Sequence, residues 1–204
     1  MENGDKSSRL PGRTSAGRVL RRDLFDRPAL RVARELLGQY LVRRLPGGRV
    51  QAAMITETEA YDGFRDKASH AHRGRTARNA PMFGAAGQWY VYFVYGMHWM
   101  LNAVTGPEGY PAAVLIRGVE GSPGPARLTK RLRIGRRLNG RPISRSSGLW
   151  IEDRGVRLRP ADVGRGPRIG VAYAGEWARK PFRFVLKRRS DEVAEKQSDK
   201  KIYR

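Results

Sequence analysis

The chain has no cysteine and three histidines in 204 residues. Disulfides, thiolate metal sites and cysteine nucleophiles are therefore excluded. A metal centre would have only His70, His72 and His98 to draw on, and no metal or other cofactor is expected. Acid is scarce as well: 19 Asp and Glu stand against 41 Lys and Arg, a formal net charge of +22. No compact Asp/Glu/His cluster of the kind a metal-dependent nuclease needs is visible. Long hydrophobic runs are also missing, since the one apolar stretch is divided by Gly96 and carries three tyrosines, a His and an Asn. The N-terminus lacks the apolar centre of a signal peptide. The reading is of a soluble intracellular protein that is not secreted and does not contact membrane: cytoplasmic or nucleoid-associated if bacterial, nuclear if eukaryotic.

What is present is concentrated. Residues 89–102 hold six of the eighteen aromatic residues, and residues 83–107 contain no Asp, Glu, Lys or Arg in a chain that is 29% charged. A basic surface around an aromatic centre favours a polyanionic partner. Nucleic acid is preferred to membrane because no basic amphipathic helix with a clean apolar face stands out.

The length suits one globular unit. We expect a disordered basic arm over residues 1–22, a single domain over 23–187 and a charged tail over 188–204. Residues 23–39 show helical spacing at Leu30, Val32, Ala33, Leu36 and Leu37, with Asp26 as the cap and Gly38 as the stop. Strands at 40–44 and 49–58 flank the Pro46-Gly47-Gly48 turn as a hairpin. A polar loop over 62–80 is long enough to be functional. Residues 89–95 alternate as a strand, Gly96 turns the chain, and Trp99, Leu101 and Ala103 return. Residues 111–119 read as a strand and a short helical segment follows Ser122. Further strands are expected at 149–156, 169–173 and 182–186. Eight basic residues and no acid lie between Arg127 and Arg145. Charge runs are usually solvated faces, yet the lack of any balancing acid makes Arg127, Lys130 and Arg131 candidates for phosphate contact.

Glu57, Glu59 and Tyr61 share one face of the second hairpin strand by alternation. A carboxylate there is a possible general base, although exposed strand faces carry Glu routinely, and spacing does not separate Glu57 from Glu59.

The blocks Glu57-Thr58-Glu59-Ala60-Tyr61, Ala68-Ser69-His70, Arg78-Asn79 with Met82-Phe83, Tyr90 to Met97 through Asn102, Val114-Leu115-Ile116-Arg117 and Gly175-Glu176-Trp177-Ala178-Arg179-Lys180-Pro181 occur in that order. They resemble the alkyladenine (3-methyladenine) DNA glycosylase family across about residues 20 to 187. The resemblance implies an α+β domain, a curved antiparallel sheet with surrounding helices and a protruding, DNA-inserting hairpin. It implies a monomeric, monofunctional enzyme that flips damaged purines from double-stranded DNA and hydrolyses the N-glycosidic bond without lyase chemistry.

Carried over residue by residue, Glu59 is the general base and Arg117 helps hold the water, with backbone near Ile169 contributing. Tyr61, Tyr92 and His70 enclose the base, and Asn102 stands at the pocket wall, where a side-chain amide rejects the exocyclic amino group of guanine. Tyr95 is the intercalating residue and Met97 supports it. His98 departs from the tyrosine of the mammalian enzymes. An alternative function is a non-catalytic nucleic-acid-binding protein that uses the aromatics as a stacking platform; a carboxylate at Glu59 argues against it.

Overall fold

A computed structural model describes residues 17–187. It is a mixed α/β architecture built on a ten-stranded antiparallel sheet with a few short helices. In chain order the elements are β1 (Arg18–Val19), α1 (Arg22–Phe25), α2 (Ala29–Glu35), β2 (Tyr40–Arg44), β3 (Val50–Asp62), β4 (Trp89–Val94), β5 (His98–Val104), β6 (Ala112–Val119), β7 (Ser122–Pro123), α3 (Pro125–Arg131), β8 (Leu149–Asp153), β9 (Val163–Gly166), α4 (Glu176–Arg179) and β10 (Arg183–Leu186). Among the described residues no helix is long and apolar enough to cross a membrane.

The sheet runs β1-β8-β2-β3-β6-β5-β4. Strand β3, 13 residues long, is the hub. Its first half pairs with β2, its second half pairs with β6, and Glu57 to Glu59 pair on the other edge with β10. The register against β6 shifts between Ile55 and Thr58, an irregularity of the kind that re-aims side chains beside functional sites. Before the shift Ala53 and Ile55 face the core, and after it the even residues do: Ala60 is buried, and the Thr58 hydroxyl donates to the Ala33 carbonyl of α2 at 2.8 Å. The odd residues Glu57, Glu59 and Tyr61 are left for the opposite face.

The hairpin β4–β5 has the expected alternation. Trp89, Val91 and Leu101 join the main core, while Tyr90 and Val104 belong to a separate small cluster with Ala71, Met82 and Ala113. Phe93 is exposed on one side and packs on Trp99 with ring centroids 4.7 Å apart.

Several expectations are corrected. The helix over 23–39 is two short helices, because Pro28 sits at the start of α2 with ψ 136° and Asp26 ends α1 without capping α2. Gly38, with φ 79°, does stop the chain where expected. Residues 169–173 are not a strand: Gly170 has φ 79°, and Ala172 to Ala174 form a 3-10 turn. Their Ile-Gly-Val-Ala-Tyr composition imitates a strand, whereas the pairing partner of β10 is β9. Within the stretch expected as an arm, Arg18 and Val19 pair with Asp153 and Glu152 of β8. Residues 1–16 and the tail 188–204 lie outside the described residues.

Candidate active site

A cavity of about 540 Å³ opens where β4, β5 and β6 meet the loop after β3 and the segment following β9. Tyr61, His70, Tyr92, Tyr95, Asn102 and Arg117 all line it. These six come from four strands, a loop and a hairpin tip, so the fold brings together residues that span more than fifty positions of sequence.

Glu59 lies just beneath this lining, with 0% of its surface exposed. Three cavity-lining residues converge on its carboxylate. The Ile169 backbone N–H donates to Oε1 at 2.8 Å, the Tyr61 hydroxyl donates to Oε2 at 3.0 Å, and the Arg117 Nε stands 3.6 Å from Oε1. Burial raises the Glu59 pKa above its ordinary value. The Ile169 N–H, the Arg117 charge and the Tyr61 hydroxyl oppose that rise, and the neighbouring Glu57 adds to it. The result is a carboxylate short of solvent but rich in donors, with lone pairs left for a further partner.

Glu57, which spacing could not distinguish from Glu59, has a different environment. It accepts from Arg117 Nε at 2.9 Å and from Arg183 Nη1 of β10 at 3.0 Å, and it does not line the cavity. It positions Arg117 and balances its charge.

On the opposite wall, His70 Nδ1 is 3.1 Å from the Tyr90 hydroxyl, and the His70 and Tyr92 rings meet edge to face at 4.5 Å. His70 is open to the cavity, yet enough of its ring is enclosed that its pKa falls, burial first and then the nearby Arg78 cation. Both influences favour the neutral imidazole. Tyr92 is raised mainly by burial. Asn79, buried behind this wall, donates to the carbonyls of His70 and Gly74 at 2.9 Å and so shapes the loop that presents His70. The Asn102 amide nitrogen donates to the Tyr90 carbonyl at 3.2 Å.

Tyr95 occupies the tip of the β4–β5 hairpin, 84% exposed. Both it and Gly96 have positive φ, 52° and 64°, and the Met97 N–H closes the turn on the Val94 carbonyl at 3.1 Å. A tyrosine in that conformation costs roughly 1–2 kcal/mol that a glycine would not. Met97 is exposed beside it and stands outside the cavity lining. Arg127 and Lys130 project from α3, whose first residue, Pro125, lines the cavity. Arg131 is occupied otherwise, donating to the Glu120 carbonyl at 2.7 Å.

Sequence reasoning missed several participants. Arg78 lines the cavity with its guanidinium 5.2 Å from the Tyr92 ring centre, and its place in the Arg78-Asn79 block was the available signal. Tyr173 stands exposed on the far rim, and nothing in its neighbourhood marked it. Arg183 looked like any basic strand residue, and the buried pair Asp66 and Arg168 looked like surface charges. Among the described residues no group of three or more His, Asp or Glu is placed to hold a metal ion.

The family model described as Methylpurine-DNA glycosylase (MPG) matches residues 23–123 and 121–190. A protein of Methanocella arvoryzae named as a 3-methyladenine DNA glycosylase is 49% identical over 189 residues, covering 83% of this chain and 92% of its own. One of Anaeromyxobacter dehalogenans with the same name is 47% identical over 174 residues, covering 80% of this chain and 81% of its own. The human DNA-3-methyladenine glycosylase is 36% identical over 194 residues, covering 81% of this chain and 64% of its own. With relatives at these identities and a family match running almost unbroken from Asp23 past the last strand, the chain belongs to the methylpurine-DNA glycosylase family.

Proposed function

We propose that this protein is a DNA repair glycosylase that takes an alkylated or deaminated purine out of duplex DNA and hydrolyses its N-glycosidic bond, leaving an abasic site. The single observation that carries this reading is Glu59, a buried carboxylate held by Ile169, Tyr61 and Arg117 directly behind an aromatic cavity. A protein that only bound nucleic acid would gain nothing from a desolvated negative charge at that place.

The chemistry follows from the transition state. Departure of the base leaves positive charge on the sugar, so a carboxylate near the anomeric carbon both stabilises that charge and takes the proton of the attacking water. Glu59 supplies this group, and the free lone pairs of its oxygens receive the water. Arg117, itself braced by Glu57, orients the water. The Ile169 N–H and the Tyr61 hydroxyl hold the carboxylate in one rotamer.

Tyr61, Tyr92 and His70 enclose the base, whose two π-faces and pairing edge are accessible only once it leaves the stack. Neutral His70 can accept as well as donate, and Asn102 at the wall opposes the exocyclic amino group of guanine. Tyr95 fills the gap left in the duplex, with Met97 beside it, which returns part of the unstacking cost of a few kcal/mol. Arg127 and Lys130 contact phosphates. Among the described residues no lysine lines the cavity, which favours hydrolysis alone over Schiff-base chemistry and strand cleavage. We take the active form to be a monomer inside the cell, with residues 23–187 as the catalytic domain.

The test is release of methylated adenine from alkylated duplex DNA. Wild-type protein releases it with chelator present. Glu59→Gln keeps the volume and the Tyr61 contact but cannot take a proton, so release falls by at least a hundredfold while damaged DNA is still bound. Release at the wild-type rate by that variant refutes Glu59 as the base.

A further inference from the structure

Two buried side chains anchor the rim that carries Ile169, and the Tyr173 hydroxyl adds a tie to the Ala68 carbonyl at 3.2 Å. Between Pro167 and Tyr173, Arg168 and Val171 are buried, and the remaining residues are exposed. Arg168 is the polar anchor, and its contacts are unusual for a charged group. Its guanidinium forms a two-pronged ion pair with Asp66 in which neither side chain has any exposed surface. It also donates to the Ala60 carbonyl of β3 at 2.8 Å and to the Trp177 carbonyl of α4 at 3.3 Å. Its central carbon lies 4.7 Å from the Tyr61 ring centre, although Arg168 itself does not reach the cavity. Asp66 in turn accepts from the Asp62 and Ala68 backbone N–H groups, both at 3.1 Å, which fixes the loop that leads to His70.

Such a pair is a poor device for stability alone, because the desolvation of two charges cancels most of their attraction. It is a good device for placement, since a planar fork with several fixed acceptors leaves little angular freedom. The acceptors belong to the strand residue between Glu59 and Tyr61, the His70 loop and the C-terminal helix. The next peptide along is the one whose N–H meets Glu59.

We propose that Arg168 is a positioning residue for the catalytic carboxylate: clamped to Asp66, Ala60 and Trp177, it fixes the point from which the Ile169 N–H reaches Glu59. This rests on Glu59 being the general base. Other charged and titratable groups facing this site are Tyr61 and Glu57 on the same strand, Arg117 on β6, Arg183 on β10 and Tyr92 on β4; of these, Tyr61 also lies against the clamp. The Ile169 N–H is the largest influence opposing the rise in the Glu59 pKa. Slackening the clamp removes that opposition, so Glu59 protonates at higher pH and the acid limb of the release profile moves upward.

The variants are Arg168→Lys, which keeps the charge and loses the fork, Asp66→Asn, and the double Arg168→Met with Asp66→Asn, which leaves no uncompensated buried charge and so preserves folding. Each should move the acid limb of single-turnover release upward by about one pH unit, a loss of about tenfold at a pH on the limb, with the rate largely regained at high pH. Carbon-13 titration of the Glu59 carboxyl in free protein reads the same displacement without catalysis. A limb and a titration that both stay at the wild-type pH, with only thermal stability lowered, overturn the positioning role. A titration that moves while wild-type protein releases no base leaves the clamp standing and removes the glycosylase reading instead.

Discussion

Glu59 shows how one residue acquires a function from its surroundings. A glutamate side chain in water titrates at about 4.3, whatever its neighbours in sequence. Here burial raises the value and the Ile169 N–H, Arg117 and Tyr61 restrain it. In the proposed mechanism Glu59 acts in its ionised form, so release should rise with pH through its raised pKa. The acid limb of the wild-type profile is expected above the usual carboxylate range, and a limb at or below pH 4 in single-turnover release would contradict the burial described above. Part of this residue's role was legible in sequence: alternation placed Glu57, Glu59 and Tyr61 on one face, and the residue-by-residue resemblance selected Glu59. The rest was not. A backbone N–H is carried by every residue except proline and so leaves no signature at Ile169, and the partners Asp66 and Arg168 are 102 positions apart, each indistinguishable by type from a solvated surface charge.

At the scale of the element, the β4–β5 hairpin was the most readable part of the chain. Aromatic and β-branched residues in alternation, broken by Gly96, leave few other structures available. What alternation could not convey is the backbone of Tyr95, whose φ of 52° places a bulky residue in the left-handed region at an exposed tip. Strain of this kind persists where the side chain serves a purpose that a better-suited residue could not. Asparagine tolerates that conformation far better. Tyr95→Asn should therefore leave the melting temperature unchanged or raise it by a few degrees, while affinity for duplex containing a lesion falls at least tenfold and affinity for undamaged duplex changes much less. Calorimetry and competition binding check the two halves, and a variant that loses stability with its affinity intact would make Tyr95 a packing residue. The helices were less legible because α1 and α2 are short, and Pro28 interrupts a periodicity that otherwise reads as continuous.

Over the whole molecule, the net charge of +22 acts at a range where individual contacts do not matter. It draws the protein to the duplex and holds it there while lesions are sampled, and counterion release makes the association weaken linearly in log–log salt plots. Arg127→Ala and Lys130→Ala should each reduce that slope by about one, equally for damaged and undamaged DNA, whereas Arg131→Ala should reduce it less because its guanidinium is already tied to Glu120. Equal slopes for all three variants and the wild type would place α3 away from the phosphates. The charge was plain in composition; which of the basic residues are free to meet DNA was not, since Arg131, Arg168 and Arg183 are committed to internal acceptors.

Strand β3 is paired along both edges, with β2 and β10 on one side and β6 on the other. The proposed general base mounted there cannot yield to a substrate, because moving it means unzipping the sheet. Accommodation between protein and duplex must then be borne by the nucleic acid, and innovation in lesion choice by the parts that β3 does not restrain: the loop over 62–80 and the rim over 169–173. The architecture separates a reaction that is hard to mutate from a recognition surface that is free to drift.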